Sequence, residues 1–162
     1  MDLPQIRRVI TGHNDVGEAI VTIDETCAHF REGRPGAHAC NVWTTDTVPA
    51  NNSSDVDAGK REGKFTMIEN GTVFRVIDFK PGVAARSHRT DTIDYIVVMS
   101  GEIDMELEPA GEVVHLKAGD VMVQRGTVHN WVNRGTESCV IAFTLVHAAP
   151  AVAGGKTLEH FG

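Results

Sequence analysis

The sequence predicts an all-β protein, and three features of its pattern carry that prediction. From Thr72 onward, about eight short runs of β-type residues follow one another roughly 8–12 residues apart, the spacing of a β-sandwich or barrel. Turns that contain glycine separate most of these runs. No segment shows an amphipathic helical period of useful length.

Residues 1–71 are expected to form an N-terminal arm that adds strands to the main body. Its strands are predicted at 6–12, 18–24 and 39–47, with a turn-rich connector at 32–37. Such strands either cover a sheet edge or pair with a second subunit. The polar segment 48–64, VPANNSSDVDAGKREGK, has no period and is predicted to be either a lid or a disordered excursion.

The main body at 72–148 contains the dense β pattern, and residues 149–162 are expected to be a loosely held tail. The predicted strands of the main body are 73–79, 84–90, 93–99, 102–108, 112–116, 120–125, 128–133 and 138–148.

Composition narrows the class of protein. A chain of 162 residues is the length of one domain, and its formal net charge of −7, with no basic stripe, argues against nucleic-acid binding. No apolar run is long enough to span a membrane, and the N-terminus lacks the apolar core of a signal peptide. Three cysteines without CxxC spacing are expected to be free thiols, which favours a reducing, cytoplasmic location.

The candidate site comes from two glycine-bounded β segments. His88 and Asp94 lie in the first and His129 in the second. Because residues two apart share a strand face, Asp94 points the same way as Ile96 and Val98, which predicts a buried carboxylate that needs a compensating cation. Two imidazoles and one carboxylate that converge inside a barrel would form a metal site with open positions.

Five further side chains are candidates for substrate binding: Thr90, Trp131, Gln124, Met122 and Arg75. Trp131 shares a face with His129 and would either line a cavity or fill the core. Gln124 and Met122 share one strand face and would supply a polar and an apolar contact. Arg75 would either reach an anionic substrate or lie on the outer face of its strand, and its apolar neighbours favour the outer position. The remaining histidines have no partner at ligand spacing and are expected to be surface or structural residues: His13, His29, His38, His115, His147 and His160.

The spacing of the two segments resembles the cupin superfamily. Gly82, His88, Thr90, Asp94 and Gly101 stand at the positions of its first motif, G-x5-H-x-H-x3-4-E-x6-G. The second motif, G-x5-P-x-G-x2-H-x3-N, is matched by Gly119, Gly126, His129 and Asn133. The resemblance covers about Thr72 to Ala148 and implies a double-stranded β-helix, or jelly-roll barrel, and a homodimer.

The departures from the two motifs bear on the ligand set. The resemblance implies four metal ligands, of which His88 and His129 stand unchanged. Thr90 replaces the second histidine, Asp94 replaces the glutamate with a side chain one methylene shorter, and Gln124 replaces the proline with one residue fewer before it. The predicted cofactor is one divalent ion, Zn, Mn, Ni or Fe, which these substitutions could also have eliminated.

The leading interpretation is a metal-dependent enzyme that acts on a small carboxylate or carbonyl compound. The ion would polarise a substrate oxygen, and Asp94 and His129 are the predicted catalytic residues. That chemistry suits a lyase or isomerase that catalyses decarboxylation, dehydration or enolisation. One alternative is a non-haem iron oxygenase, which the two-histidine, one-carboxylate count permits. The other is a non-catalytic ligand-binding or sensor module without metal.

Overall fold

The computed structural model describes residues 3–63 and 65–162. Met1 and Asp2 of the predicted arm, and Lys64 at the end of the predicted polar segment, lie outside the described residues. The strands in the described part are β1 (Arg7–His13), β2 (Ala19–Thr26), β3 (Arg31–Arg34), β4 (Ala37–Thr45), β5 (Thr72–Phe79), β6 (Thr92–Ser100), β7 (Glu102–Leu107), β8 (Glu112–Lys117), β9 (Val121–Arg125), β10 (His129–Val132), β11 (Cys139–His147), β12 (Val152–Ala153) and β13 (Lys156–Thr157). A single 3-10 turn spans Ala58–Lys60.

Two antiparallel sheets form the main body. The larger has the strand order β3-β4-β5-β11-β6-β9, and the smaller has the order β10-β7-β8. From β6 onward the chain passes between the sheets repeatedly: β7 and β8 lie in the smaller sheet, β9 in the larger, β10 in the smaller and β11 in the larger. This alternation is the double-stranded β-helix, so the fold class that the sequence predicts is confirmed.

The core lies between the two sheets and follows from the period-two pattern. Val73 and Ile96 of the larger sheet and Ile103 and Trp131 of the smaller sheet are all buried in one cluster. The alternate residues of β6 point outward, so Tyr95 is about half exposed while its neighbour Ile96 is buried.

The segment 84–90, predicted as a strand, joins no sheet. Its backbone makes only two isolated antiparallel bridges, His88 with His129 and Arg89 with Phe161. The second bridge also corrects the prediction of a loose tail, because it hydrogen-bonds the chain end to the main body, and β12 and β13 pair with each other. The predicted connector at 32–37 is likewise largely replaced by β3, which pairs with β4.

Cys27 and Cys40 form a disulfide, which corrects the prediction of three free thiols. Cys27 follows β2 and Cys40 lies within β4, and their Cα atoms are 6.8 Å apart. Spacing along the sequence did not reveal this pairing because contacts between separate segments, the end of the first hairpin and β4, bring the two residues together. Cys139 is a buried free thiol, as predicted.

The β1–β2 hairpin forms a two-stranded sheet of its own. Its predicted role in pairing with a second subunit stays a prediction. In the described part of the chain, no helix has both the length and the apolar character needed to cross a membrane.

Arg8 connects this hairpin to the polar segment. Its buried guanidinium pairs with Glu25 of β2 at 2.6 Å and with Asp57, where Nη1 donates to Oδ1 at 2.7 Å. The pairing lowers the pKa of the Asp57 carboxyl to about 2. A Cβ at the adjacent Gly59 would collide with Arg8 and with the Val42 carbonyl oxygen, so the turn is built around this contact.

Replacing Arg8 with methionine should lower the free energy of unfolding by about 3 kcal/mol, because it leaves two carboxylates without their buried cation. Arg7→Met is the matched control: the Arg7–Asp24 pair is exposed, so its loss should change the free energy of unfolding far less. Urea unfolding at pH 7 measures the free energy of unfolding of both variants.

The contribution of the Arg8–Asp57 pair to the free energy of unfolding is complete above the ordinary carboxyl pKa of about 4. It should disappear as the pH falls towards 2. Equal losses of unfolding free energy in Arg8→Met and Arg7→Met would contradict a stabilising role for the buried Arg8 ion pairs.

Candidate functional site

A cavity of about 450 Å³ lies between the two sheets. This volume is typical of sites for small organic molecules. Strands β4, β5, β6, β10 and β11 contribute to its lining. Gly59, Arg61 and Gly63 also line it, so this part of the predicted polar segment forms a wall of the cavity and is not a disordered excursion.

His88 and His129 meet in the cavity because their backbones pair. The amide of each donates to the carbonyl oxygen of the other, at 3.1 and 3.0 Å. Residues directly opposite in an antiparallel bridge place their side chains next to each other. The two imidazole rings therefore lie with their centroids 4.2 Å apart.

Hydrogen bonds fix the orientation of both rings. Nδ1 of His88 donates to the Arg86 carbonyl oxygen at 3.1 Å, and Nδ1 of His129 donates to the Thr127 carbonyl oxygen at 3.0 Å. Because Nδ1 carries the proton, Nε2 keeps the lone pair in each ring. The Gln124 amide nitrogen lies 2.8 Å from Nδ1 and 3.1 Å from Nε2 of His129, and with Nδ1 protonated it can donate to Nε2.

Both imidazoles are neutral at physiological pH. Burial, with a smaller contribution from the neighbouring His129, lowers the pKa of His88 to about 3. Burial also lowers the pKa of His129 to about 4, with Arg86 and Arg34 adding to the effect. The two rings therefore add no positive charge to the cavity.

Asp94 points into the cavity from β6, as the alternation with Ile96 and Val98 predicts. Burial raises the pKa of its carboxyl to about 6, although a hydrogen bond from Thr92 and the charge of Arg75 both lower it. Its Oδ1 atom has no hydrogen-bond partner within the described chain. An unpartnered carboxylate oxygen with a pKa near neutrality is suited to accept a proton from a bound molecule.

The residues predicted as metal ligands do not form a three-ligand set. Within residues 3–63 and 65–162, only one group of three potential ligands brings its donor atoms within 4.8 Å of one another, and it consists of Cys27, His29 and Cys40. Asp94 therefore lies outside the shared reach of His88 and His129. The physical reasons are its short side chain and its position on the larger sheet, whereas β10 of the smaller sheet carries His129. The three-ligand centre is therefore not formed in this arrangement of side chains, and metal binding by His88 and His129 stays a prediction.

Three cavity arginines form no ion pair with a side-chain carboxylate in the described part of the chain. Arg75 is 8% exposed, and burial lowers its pKa to about 10. Arg34 donates to the Trp131 carbonyl oxygen at 3.2 Å, and Arg86 donates to the Gly162 carbonyl oxygen at 2.7 Å. No salt bridge within 4.0 Å involves any of the three in the described structure.

Three of the five residues predicted to bind substrate line the cavity, and two do not. Thr90, Trp131 and Arg75 line the cavity. The inward position of Arg75 corrects the outer position that its apolar neighbours favoured: it shares its strand face with Ile77 and Phe79, which also line the cavity. Met122 packs against the core, and Gln124 is buried behind His129, so neither lines the cavity.

Sequence reasoning missed Arg34, Arg86 and His29 as cavity residues. Arg86 could have been found, because it lies two residues before His88 on the same face of an extended segment. Arg34 carried no comparable signal, since it falls in what looked like a turn. His29, expected to be a surface or structural residue, lies 3.7 Å from Cys27 Sγ and 3.6 Å from Cys40 Sγ.

Residues 75–146 match the model of the Cupin_2 family, described as the cupin domain. The chain is also 37% identical to "Phomopsin biosynthesis cluster protein D" of Diaporthe leptostromiformis, over 96% of this chain and 87% of that protein. The chain belongs to the cupin family. It is 31% identical, over 98% of this chain and 81% of the relative, to "Cupin-domain-containing oxidoreductase fogC" of Aspergillus ruber. A solved structure of an uncharacterised conserved protein with a double-stranded β-helix domain from Klebsiella pneumoniae is 24% identical with a TM-score of 0.49, covering 72% of this chain and 79% of that one.

Asp94→Asn should stabilise this cupin at pH 8 by about 2–3 kcal/mol, because a buried carboxyl with a raised pKa opposes folding once it ionises. Between the ordinary pKa of about 4 and the folded pKa of about 6, the folded state binds more protons than the unfolded state, so the wild type loses stability as the pH rises. Urea unfolding at pH 4 and pH 8 measures the effect. The exposed Asp55→Asn is the control. A wild type as stable as the Asp94→Asn variant at pH 8 would contradict the raised pKa.

Proposed function

We propose that this cupin is an enzyme that binds a small anionic carbonyl compound in the cavity and transfers a proton on it, in an enolisation, isomerisation or lyase reaction. One observation carries the proposal: Asp94, a buried carboxylate whose Oδ1 atom has no hydrogen-bond partner in the described chain, lines the same cavity as the buried Arg75.

Charge in the cavity supports an anionic substrate. The whole chain has a formal net charge of −7, yet five arginines and only two carboxylates line the cavity. One of these carboxylates, Glu32, is exposed, so Asp94 is the buried one. Guanidinium groups without a side-chain counterion, such as the buried Arg75 and the half-buried Arg34 and Arg86, attract a carboxylate or an enolate, which can form two parallel hydrogen bonds to one guanidinium.

The charges form two subsites. The charges of Arg34 and Arg86 both act on His88 and His129, and the charge of Arg75 acts on Asp94. A substrate carboxylate would pair with Arg34 and Arg86, which orients the rest of the molecule towards Asp94. The apolar rings of Trp131 and Phe143 line the space around it and exclude water.

The proposed proton transfer balances within these groups. Oδ1 of Asp94 accepts the proton from the carbon next to a substrate carbonyl, and the C–H bonding electrons become the enolate. Arg75 stabilises the negative charge that develops on the carbonyl oxygen. Neutral His88 presents the Nε2 lone pair to a substrate hydroxyl, and Asp94 returns its proton to complete an isomerisation.

Deuterium exchange tests this chemistry at its first step, the removal of the α-proton. A panel of 2-oxo and 3-oxo carboxylates is incubated with the protein in D2O, and loss of the α-proton signal is followed by 1H NMR. We expect exchange with at least one member above the buffer rate, and a decrease of about 10²-fold or more in Asp94→Asn. The rate should fall as the pH is lowered through about 6, where Asp94 becomes protonated.

The Asp55→Asn variant, which changes an exposed carboxylate, should exchange at the wild-type rate. Equal rates in Asp94→Asn and the wild type, or no exchange with any member of the panel, would contradict the proposal.

Anion binding provides a second test, with malonate as the probe. We expect calorimetric titration at constant ionic strength to show binding that weakens by about tenfold or more in Arg75→Met and in Arg86→Met, since each removes a charged hydrogen-bond donor. Arg125→Met, which changes an exposed arginine outside this cavity, should leave the affinity unchanged. Equal affinities in all variants would refute the anion site. Malonate binding without exchange activity would favour the non-catalytic ligand-binding module.

An oxidoreductase is the second candidate function. Of the two relatives named above, one is named as a biosynthesis cluster protein and the other as an oxidoreductase. In this chain, His88 and His129 are adjacent neutral imidazoles, which are common ligands of divalent metals. Such an ion would supply Lewis-acid or redox chemistry, and two histidines alone would hold it. Elemental analysis of protein prepared without a metal-affinity tag tests this candidate. A stoichiometric metal that is lost in His88→Ala would support it.

A further inference from the structure

We infer that Cys27, His29 and Cys40 form, once the disulfide is reduced, a separate site for Zn²⁺ or a similar thiolate-binding divalent cation on the cavity wall. The inference rests on residues that the proposed proton transfer does not use. Its donor set differs in chemistry and in sequence position from the His88–His129 pair.

The three side chains converge from two segments of the arm. Cys27 follows β2, where its backbone amide donates to the Ile6 carbonyl oxygen at 2.7 Å, and Cys40 lies in β4. Nε2 of His29 faces both sulfurs, at 3.7 Å from Cys27 and 3.6 Å from Cys40. These two distances are close to the separation of adjacent ligands around a tetrahedral zinc ion with Zn–S of about 2.3 Å and Zn–N of about 2.0 Å.

The ring of His29 is oriented through one nitrogen, Nε2. Its Nε2 atom also lies 2.8 Å from the Asn41 carbonyl oxygen, whereas Nδ1 is buried and has no hydrogen-bond partner within the described chain. The only engaged ring nitrogen is therefore the one that faces the sulfurs. To bind a cation through Nε2, the neutral ring would change tautomer: Nε2 gives up its proton, Nδ1 takes one, and the hydrogen bond to the Asn41 carbonyl oxygen is lost.

Reduction of the Cys27–Cys40 disulfide makes both sulfur atoms available as metal ligands. A dithiol reductant breaks the S–S bond: each cysteine sulfur gains one electron and one proton, and the two thiols of the reductant join as a new disulfide. Binding of the cation then displaces the two thiol protons. Two thiolates and one imidazole select zinc over magnesium, calcium or manganese, because those harder ions prefer oxygen donors.

The proposed metal site is buried but borders the cavity, through which an ion can enter. Cys27 is 4% exposed and Cys40 is fully buried, whereas His29 lines the cavity. Three protein ligands leave one tetrahedral position open, as in zinc sites that bind water or substrate. That open position would face the same cavity as Asp94.

Cobalt(II) is the spectroscopic probe. The protein is reduced with dithiothreitol, freed of reductant under nitrogen and titrated with CoCl2. We expect one equivalent to produce thiolate-to-cobalt charge transfer and the strong visible bands of tetrahedral cobalt, and ZnCl2 to displace it. Cys27→Ser and Cys40→Ser should each weaken binding by about tenfold or more, and His29→Gln should weaken it in the same direction. The protein with its disulfide intact should not give the spectrum.

Two variants separate this site from the other candidates. Cys139→Ser, which removes the buried free thiol, and His88→Ala/His129→Ala should both keep the cobalt spectrum. Loss of the spectrum in either variant, or its absence in the reduced wild type, would overturn the inference. Because a cysteine variant could fail to fold, alkylation of reduced wild-type protein with iodoacetamide is the parallel measurement. We expect ZnCl2 to slow the alkylation of Cys27 and Cys40, and unchanged rates would also overturn the inference.

Discussion

Positive charge without a paired side-chain carboxylate is the constraint on which the cavity depends. The guanidinium group of Arg75 is buried, and Arg34 and Arg86 are half-buried. Backbone oxygens accept hydrogen bonds from each of the three, which holds the groups in place. A charge left in this state costs stability unless an anion compensates it. Among the described residues that line the cavity, Asp94 is the one buried carboxylate, so a bound anion would supply further compensation.

The same environment explains why Asp94 and the two histidines differ in their protonation. Burial disfavours the charged form of each group, so it raises the pKa of the acid and lowers the pKa of the imidazoles. Asp94 therefore changes protonation near physiological pH, and both histidines remain neutral. Two departures from the cupin motifs contribute to this result. Asp94 is too short to join the histidines in a shared ligand set, and Thr90 forms a hydroxyl contact with Thr92, at 2.7 Å, where the family carries a histidine.

The sequence predicts the fold and the inward direction of Asp94 because both depend on a local pattern. Strand alternation places Asp94 with Ile96 and Val98, and the motif spacing brings His88 and His129 into one site. Strand alternation and motif spacing do not predict the position of a side chain that is placed by contacts between distant segments. The 84–90 segment has the composition of a strand, but no neighbour extends a ladder along it. Arg34 reaches the cavity from an edge strand that resembles a turn, and Cys27, His29 and Cys40 meet only because the end of the first hairpin lies against β4.

A direct titration of Asp94 tests the central claim, that one ionisable carboxylate lies among unpaired cations in a low-dielectric cavity. The 13C chemical shift of its side-chain carboxyl is followed by NMR from pH 3 to pH 9, with and without malonate. The account predicts a pKa of about 6 in the free protein and a higher value with malonate bound, because the anion offsets the arginine charges that favour ionisation. A pKa at or below the ordinary carboxyl value of about 4, unaffected by malonate, would contradict it.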